Sequence, residues 1–210
     1  MTDRIHFDGV LVIGAGLAGL SAALASAPRR ALVITSVSLA GASASAWAQG
    51  GVAAALSADD DPALHAADTI AAGAGLTDPA MAQLLAREGP GAVRWLADQG
   101  APFDRDAQGG FSQGLEAAHS RPRIARVHGD QAGRAVMSAM AATAQAAPHI
   151  QIREGVRARA LLRDAEGRVR GALVETDGKL TELVAPATVL ATGGLGGLYA
   201  VTTNPPSAVG

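Results

Sequence analysis

The chain of 210 residues contains no cysteine. That absence excludes a disulfide scaffold, a cysteine-ligated zinc site, an iron–sulfur cluster and a cysteine nucleophile within these residues. Aromatic residues are scarce, two Trp, one Tyr and three Phe, so the core has to be built from Ala, Leu, Val and Ile. Charge of one sign is lacking too: 17 Lys and Arg stand against 19 Asp and Glu, a net charge of −2. Such a balance offers no electrostatic footprint for nucleic acid or for an anionic membrane surface. Apolar residues make up 49%, which rules out wholesale disorder. The length suits one ordinary domain, or one and a half small ones. These bulk properties describe a soluble α/β enzyme domain.

No long apolar run survives inspection as a membrane span. The longest uncharged stretch, Ala31 to Ala58, carries Thr35, five serines, Gln49 and several glycines, a poor composition for crossing a bilayer. Arg4, the apolar stretch from Val10 and the small residues Ala25-Ser26-Ala27 imitate a signal peptide. Asp3 and Asp8 spoil its positive region, however, and three glycines interrupt the apolar run. A cytoplasmic location without membrane attachment is therefore expected.

Along the chain, Gly9 to Ile13 is a continuous apolar run, the pattern of a strand buried on both faces. Gly14 breaks it, an alanine-rich helix follows from Leu17 to Ala27 and ends at Pro28, and Ala31–Thr35 forms a second buried strand. Helical spacing returns over Pro62–Ala72 and Pro79–Gln99, with Asp61 and Asp78 as N-caps before a proline at N1. Gly89-Pro90-Gly91 is expected to split the second of these into two helices. Phe103–Gln113 is polar and glycine-bearing, a surface hairpin or loop, and Asp130–Ala146 is a further helix. The period then switches to two. Arg157–Arg163, Val169–Thr176 and Leu180–Val184 form strands joined by turns at Asp164–Gly167 and Asp177-Gly178. Ala187–Ala191 is a last apolar strand. The arginines between Arg153 and Arg170 alternate as a solvated sheet face would.

Three glycine-bearing motifs carry the chemistry. Gly14-Ala15-Gly16-Leu17-Ala18-Gly19 is G-x-G-x-x-G between a buried strand and a helix. In that context it marks a dinucleotide site: a tight turn at the first Gly, pyrophosphate approach at the second, close helix–strand packing at the third. An acidic residue about twenty positions on would hold the ribose of NAD. Here Thr35 and Ser36 occupy that place and no acid follows them before Asp59, which favours a flavin dinucleotide held by other contacts. Ser45-Ala46-Trp47-Ala48-Gln49-Gly50-Gly51 can lie flat against a planar ring, or form a flexible surface loop. Thr192-Gly193-Gly194 brings backbone close to a cofactor, or simply makes a turn.

In this order the motifs resemble the flavoprotein family of succinate dehydrogenase and fumarate reductase. Three further stretches are similar to its L-aspartate oxidase branch: Asp68-Thr69-Ile70-Ala71-Ala72-Gly73-Ala74-Gly75-Leu76, Glu116-Ala117-Ala118-His119-Ser120-Arg121-Pro122-Arg123-Ile124 and Thr202-Thr203-Asn204-Pro205. The resemblance implies an α/β fold: a glutathione-reductase-like, Rossmann-type FAD-binding domain with a β-meander. It further implies that residues 1–210 form the N-terminal part of that domain. The catalytic arginine, the substrate-binding histidines and the capping and C-terminal helical domains would then lie beyond Gly210, leaving the 210 residues inactive alone.

Carried over by position, Ala15 to Ala18 would wrap the FAD pyrophosphate within the cofactor-binding stretch Gly14, Ala15, Gly16, Leu17, Ala18 and Gly19, with Ser36 at the adenosine ribose. Ala44, Ser45, Ala46, Trp47, Ala48, Gln49, Gly50 and Gly51 would line the isoalloxazine, with Thr192, Gly193 and Gly194 beside the cofactor. Ala44 stands where the respiratory members carry a histidine bonded to FAD, so the flavin is expected to be non-covalent. Glu116 stands where the aspartate oxidases place a carboxylate near the substrate's α-amino group, and an ammonium is what separates aspartate from succinate. Read from the residues alone, Glu116 is a solvated loop carboxylate beside Arg121, Arg123 and Arg126. Two glycines are common in the family where this chain has Ala117-Ala118.

The implied activity is oxidation of L-aspartate to iminoaspartate, the opening step of NAD biosynthesis. Oxygen or fumarate would accept the electrons, and quinolinate synthase would be a partner. A respiratory succinate or fumarate enzyme and a catalytically silent FAD- or nucleotide-binding fragment are the alternatives. No metal site is expected, since neither His119 nor His128 has a second ligand at metal spacing.

Overall fold

The computed structural model describes residues 2–39, 43–127 and 129–210; His128 falls outside them. Its elements begin with β1 (Asp3–His6), β2 (Val10–Ile13), α1 (Leu17–Ala25), β3 (Ala31–Ile34), α2 (Ala44–Trp47) and β4 (Val52–Ala53). There follow α3 (Pro62–Ala72), α4 (Pro79–Asp98), β5 (Gln113–Gly114), β6 (Ile124–Ala125) and α5 (Ala132–Ala146). The chain continues through β7 (Ile150–Arg153), β8 (Arg157–Arg163), β9 (Val169–Thr176), β10 (Lys179–Val184) and β11 (Ala187–Leu190). These divide into two units, residues 1–47 with 140–210, and residues 48–139.

In the first unit the apolar runs become a parallel sheet in the order β11-β2-β3-β7. Every residue of β2 and β3 is buried, which is why these strands are continuously apolar rather than alternating. Leu11, Ile13, Leu32 and Ile34 point to one face, where they form a core with Phe7, Val156, Ala172, Val174, Leu183 and Ala185. Val12 and Val33, out of step by one residue, face the other side. There α1 packs on β2, β3 and β11, burying Leu20 and Ala23. Each fully buried Val, Leu or Ile contributes about 1.5–3 kcal/mol, so this two-sided burial holds the sheet rigid beneath its loops.

The second sheet of this unit runs β1-β10-β9-β8. Strands β8, β9 and β10 are the expected meander, and Asp177 and Gly178 both take positive φ, 50° and 76°, as a two-residue hairpin requires. Strand β1 was not expected: it adds in parallel to the edge of β10, pairing Asp3 with Thr181. All four of its residues are exposed, so no apolar signal marks it, and ion pairs from Arg4 to Glu182 and Lys179 to Asp3 accompany the pairing.

In the second unit α3 and α4 pack through Ala66, Ala82 and Ala86, with Ile70 against them. Both N-caps stand as expected, Asp61 accepting from the Ala63 N–H and Asp78 from those of Ala80 and Met81. The expected break at Gly89-Pro90-Gly91 does not occur. Helix α4 is continuous, and Pro90 lies on its buried stripe with Ala82, Ala86, Val93 and Leu96. Burying that stripe offsets the roughly 3 kcal/mol that an interior proline costs, and Gly89, lacking a Cβ, relieves the ring's clash with the residue before it. A small antiparallel sheet, β4-β6-β5, completes the unit. Among the described residues no helix is long and apolar enough to cross a membrane.

Candidate functional site

Parallel pairing gathers three of the expected segments at the carboxyl ends of the first unit's sheet. Gly14 follows β2 and donates its N–H to the Ile34 carbonyl at the end of β3, 2.9 Å away. The Ala191 N–H donates to the Ile13 carbonyl at 2.8 Å, so Thr192-Gly193-Gly194 emerges beside the Gly14 turn. Ser36 lies just beyond β3, exposed, while Thr35 is buried and closes the bend by donating to the Val37 carbonyl. The end of a parallel sheet where loops diverge is where ligands of this architecture bind.

The three glycines of the motif differ in what surrounds them. Gly14 has φ +110°, and a Cβ there would run into the Ala191 carbonyl. A Cβ on Gly19 would strike the Gly14 carbonyl. Both are glycine because backbone meets backbone. Gly16 is different: its φ of −73° suits any residue, and among the described residues a Cβ would meet only the Ser45 Oγ at 3.5 Å and the Ser43 Cβ at 4.0 Å. Nothing among the described residues requires a glycine at position 16, and the space before it is open to a ligand. Gly16 is also the N-cap of α1 and brings no capping side chain. One first-turn donor, the Leu17 N–H, reaches the Ser45 hydroxyl at 3.3 Å. Ala18 is exposed and Ala15 buried, as a phosphate-facing turn rooted in a core would be.

The segment from Ala44 to Gly51 divides between the units. Ala44, Ser45, Ala46 and Trp47 form α2 in the first, with Ala44 exposed and Trp47 51% exposed. Ala48, Gln49 and Gly50 are exposed in the second, where the Ala48 carbonyl accepts from the Gly133 N–H. Gly50 has open space around a notional Cβ, but Gly51 does not: its Cβ would collide with the Ala125 carbonyl across β4 and β6. Strand packing thus requires a glycine at position 51.

Glu116 lies exposed on the loop 115–123 that joins β5 to β6. The loop is closed at its base by the Arg123 N–H on the Gly114 carbonyl, 3.0 Å. Glu116 to His119 is a turn, with the His119 N–H donating to the Glu116 carbonyl at 3.2 Å and Ala118 at φ +68°. The three arginines expected around Glu116 go elsewhere. Arg121 donates to the Ser120 carbonyl, and the Arg126 guanidinium lies over Gly114.

Arg123 is wholly buried. Its Nε and Nη2 donate to the two oxygens of Asp60, at 2.8 and 2.7 Å, the bidentate pairing that a planar guanidinium makes best. Its Nη1 donates to Asp68 Oδ2 and lies 3.2 Å from His119 Nδ1. A guanidinium only donates, so that Nδ1 is an acceptor and the ring proton sits on Nε2. Asp68 Oδ2 also accepts from the Ser120 N–H at 2.8 Å and its hydroxyl at 2.7 Å. Arg123 holds Asp60 below the usual carboxylate range, and Asp68 is held far below it by the Ser120 N–H first and Arg123 second. His65, one turn before Asp68 on α3, is pushed down by burial first and by Arg123 next; its ring stands 5.6 Å from that of His119. This lattice joins residues 60 and 123, too far apart for any local periodicity to show it.

An open parallel sheet with a glycine turn, an uncapped helix N-terminus and space before Gly16 defines a dinucleotide-binding fold. Residues 9–210 match the family described as FAD binding domain, and the chain belongs to that family. FAD is accordingly its cofactor, and the space before Gly16 fits a pyrophosphate. The chain is 61% identical over 205 residues to the L-aspartate oxidase of Caulobacter vibrioides, covering 96% of this chain and 40% of that protein. It is 44% identical over 205 residues to the L-aspartate oxidase of Xylella fastidiosa, covering 97% and 40%. It thus spans about two fifths of the length of these curated relatives. Among solved structures, Mycobacterium smegmatis Sdh1 superposes with a TM-score of 0.88 at 32% identity, over 98% of this chain and 37% of that one. The FrdA chain of Escherichia coli quinol fumarate reductase gives 0.88 at 26% identity, over 99% and 36%.

Proposed function

We propose that this chain is the FAD-holding part of an oxidoreductase that converts L-aspartate to iminoaspartate. The observation that carries the substrate assignment is the likeness to L-aspartate oxidases over 96% of the chain. Gly14 to Gly19 and the N-terminus of α1 would hold the pyrophosphate, and Ser36 the ribose. Ala44–Gly51 and Thr192–Gly194 would lie along the flavin. FAD, when bound, supplies the two-electron acceptor for the hydride of the aspartate α-carbon. Oxygen or fumarate would take the electrons onward, and quinolinate synthase would receive the product in the cytoplasm. Ala44 offers no nucleophile for a bond to the flavin, which is why non-covalent attachment belongs to this reading.

Glu116 would pair with the substrate ammonium. The test is Glu116→Gln in a protein of the relatives' full length carrying these 210 residues, hereafter the full-length protein. Losing one charge-assisted contact of about 1.5–3 kcal/mol lowers kcat/KM for L-aspartate roughly ten- to a hundredfold. Turnover of succinate or fumarate, which lack the ammonium, should fall far less. Equal losses with both substrate types would reduce Glu116 to a shaper of its loop. The likeness in fold to Sdh1 and FrdA supports a second reading, a succinate or fumarate enzyme. Oxygen uptake with succinate but not with aspartate would establish it instead.

A further inference from the structure

The buried lattice of the second unit does more than fill a core, because it is fastened to the loop that carries Glu116. Two of the three stretches that distinguish the chain at the sequence level, 68–76 and 116–124, meet in it. Asp68 stands on α3, and its Oδ2 takes both the N–H and the hydroxyl of Ser120. Arg123 ties the far end of the same loop to Asp60 and Asp68, while its own N–H closes the loop base on Gly114. The Glu116–His119 turn therefore hangs between two fixed points, Gly114 and Ser120, with His119 held against Arg123 Nη1. Loops that long are ordinarily mobile at their tips. Here one end is fixed to Asp68 on α3 through Ser120 and Arg123, and the other closes on the Arg123 backbone.

We propose that Asp68, Ser120 and Arg123 are positioning residues for Glu116, setting selectivity for an α-amino dicarboxylate over a plain dicarboxylate without touching either. The proposal rests on the reading of Glu116 given above. A carboxylate discriminates an ammonium only if it is held still, since a swinging side chain on a loose loop would be screened by water equally for both substrates. The Ser120 hydroxyl is the contact that can be removed most gently: the Ser120 N–H and the whole Arg123 pairing remain. Asp68→Asn is the stronger perturbation, keeping the shape while removing the charge opposite Arg123.

The experiment uses the full-length protein with FAD bound and two readouts. Hydrogen exchange over residues 115–122, read without any substrate, should speed up in Ser120→Ala by about an order of magnitude, the worth of one hydrogen bond to a charged acceptor. Ser120→Thr, which retains the hydroxyl, should restore protection. In steady-state assays the Ser120→Ala change should fall on KM for L-aspartate, a rise of roughly tenfold, with the inhibition constant of succinate shifting less than about twofold. Asp68→Asn should go further in the same direction. In a Glu116→Gln background the Ser120→Ala effect on KM should vanish, because the two act through one contact. Unchanged exchange overturns the clamp. Faster exchange with an unaltered KM for aspartate, or equal shifts for aspartate and succinate, overturns the selectivity role. Absence of aspartate oxidation in the unsubstituted protein overturns the functional reading and this proposal with it, and the exchange result shows separately whether the clamp exists.

Discussion

Gly16→Ala should strengthen the fold and weaken the cofactor, two effects of opposite sign from one methyl group. Gly16 has φ −73° and ψ −176°, a conformation alanine adopts without strain. The new Cβ would sit 3.5 Å from the Ser45 Oγ and 4.0 Å from the Ser43 Cβ, ordinary van der Waals contact. Replacing glycine at such a position restricts the unfolded chain and adds about 0.4–1 kcal/mol of stability. For a domain of this size that raises Tm by roughly 1–4 °C. With the pyrophosphate placed against Gly16 as proposed, the same methyl would stand in its space and separate it from at least one backbone N–H. A hydrogen bond to a charged group is worth about 1.5–3 kcal/mol, so Kd for FAD should rise roughly 10- to 150-fold. Gly19→Ala is the control, since its Cβ meets the Gly14 carbonyl and should lower both stability and affinity. Calorimetry of FAD-stripped full-length protein and a fluorescence titration with FAD measure the two quantities separately. An unchanged Kd in Gly16→Ala, or a lowered Tm of the stripped form, would refute the reasoning.

Arg123→Leu leaves Asp60 buried without its partner and should cost about 3–5 kcal/mol of stability, read as a lowered denaturant midpoint; a loss under 1 kcal/mol would show that water replaces the guanidinium. The same lattice sets a direction for acid sensitivity. Asp60 and Asp68 titrate below their ordinary range when folded, so the unfolded chain binds more protons at acid pH. Their contribution is complete above the unfolded carboxylate value of about 4 and is lost as pH falls below it. Arg123→Leu should flatten the fall in Tm below pH 4, and a parallel fall in both proteins would contradict the assignment. Acid precipitation of the full-length protein should leave the flavin in the supernatant, since Ala44 has no group to tether it; yellow protein pellets would exclude non-covalent binding.

What the sequence made legible follows the range of the physics involved. Strands β2 and β3 are continuous apolar runs because both their faces are covered, and burial of that kind is written residue by residue. The caps at Asp61 and Asp78 act over two or three residues, and the hairpin at Asp177-Gly178 over two. Strand β1 left no mark because it is an exposed edge held by pairing to β10, an interaction across nearly the whole chain. Pro90 misled because the local cost of a proline is visible in sequence, whereas the packed stripe that outweighs it is not. Gly51 has a reason to be glycine that sequence could not show, the Ala125 carbonyl across the sheet.

The loop carrying Glu116 shows the same limit within the candidate site. Ser120, Arg121, Pro122 and Arg123 look in sequence like a basic, solvated run, yet Arg123 is fully buried and Arg121 is not. Burial of a guanidinium is tolerable only when carboxylates meet it, and both of its carboxylates come from residues more than fifty positions earlier. Ala118 adds an independent sign that the turn is held from outside. It occupies φ +68° without being glycine, a conformation that costs an alanine about 1–2 kcal/mol. A residue keeps such a conformation when its surroundings over-determine it. Here those surroundings are the Gly114 closure on one side and the Ser120 and Arg123 bonds on the other. The family resemblance flagged this stretch through its residue types, and the lattice supplies the physical reason those types have to occur together.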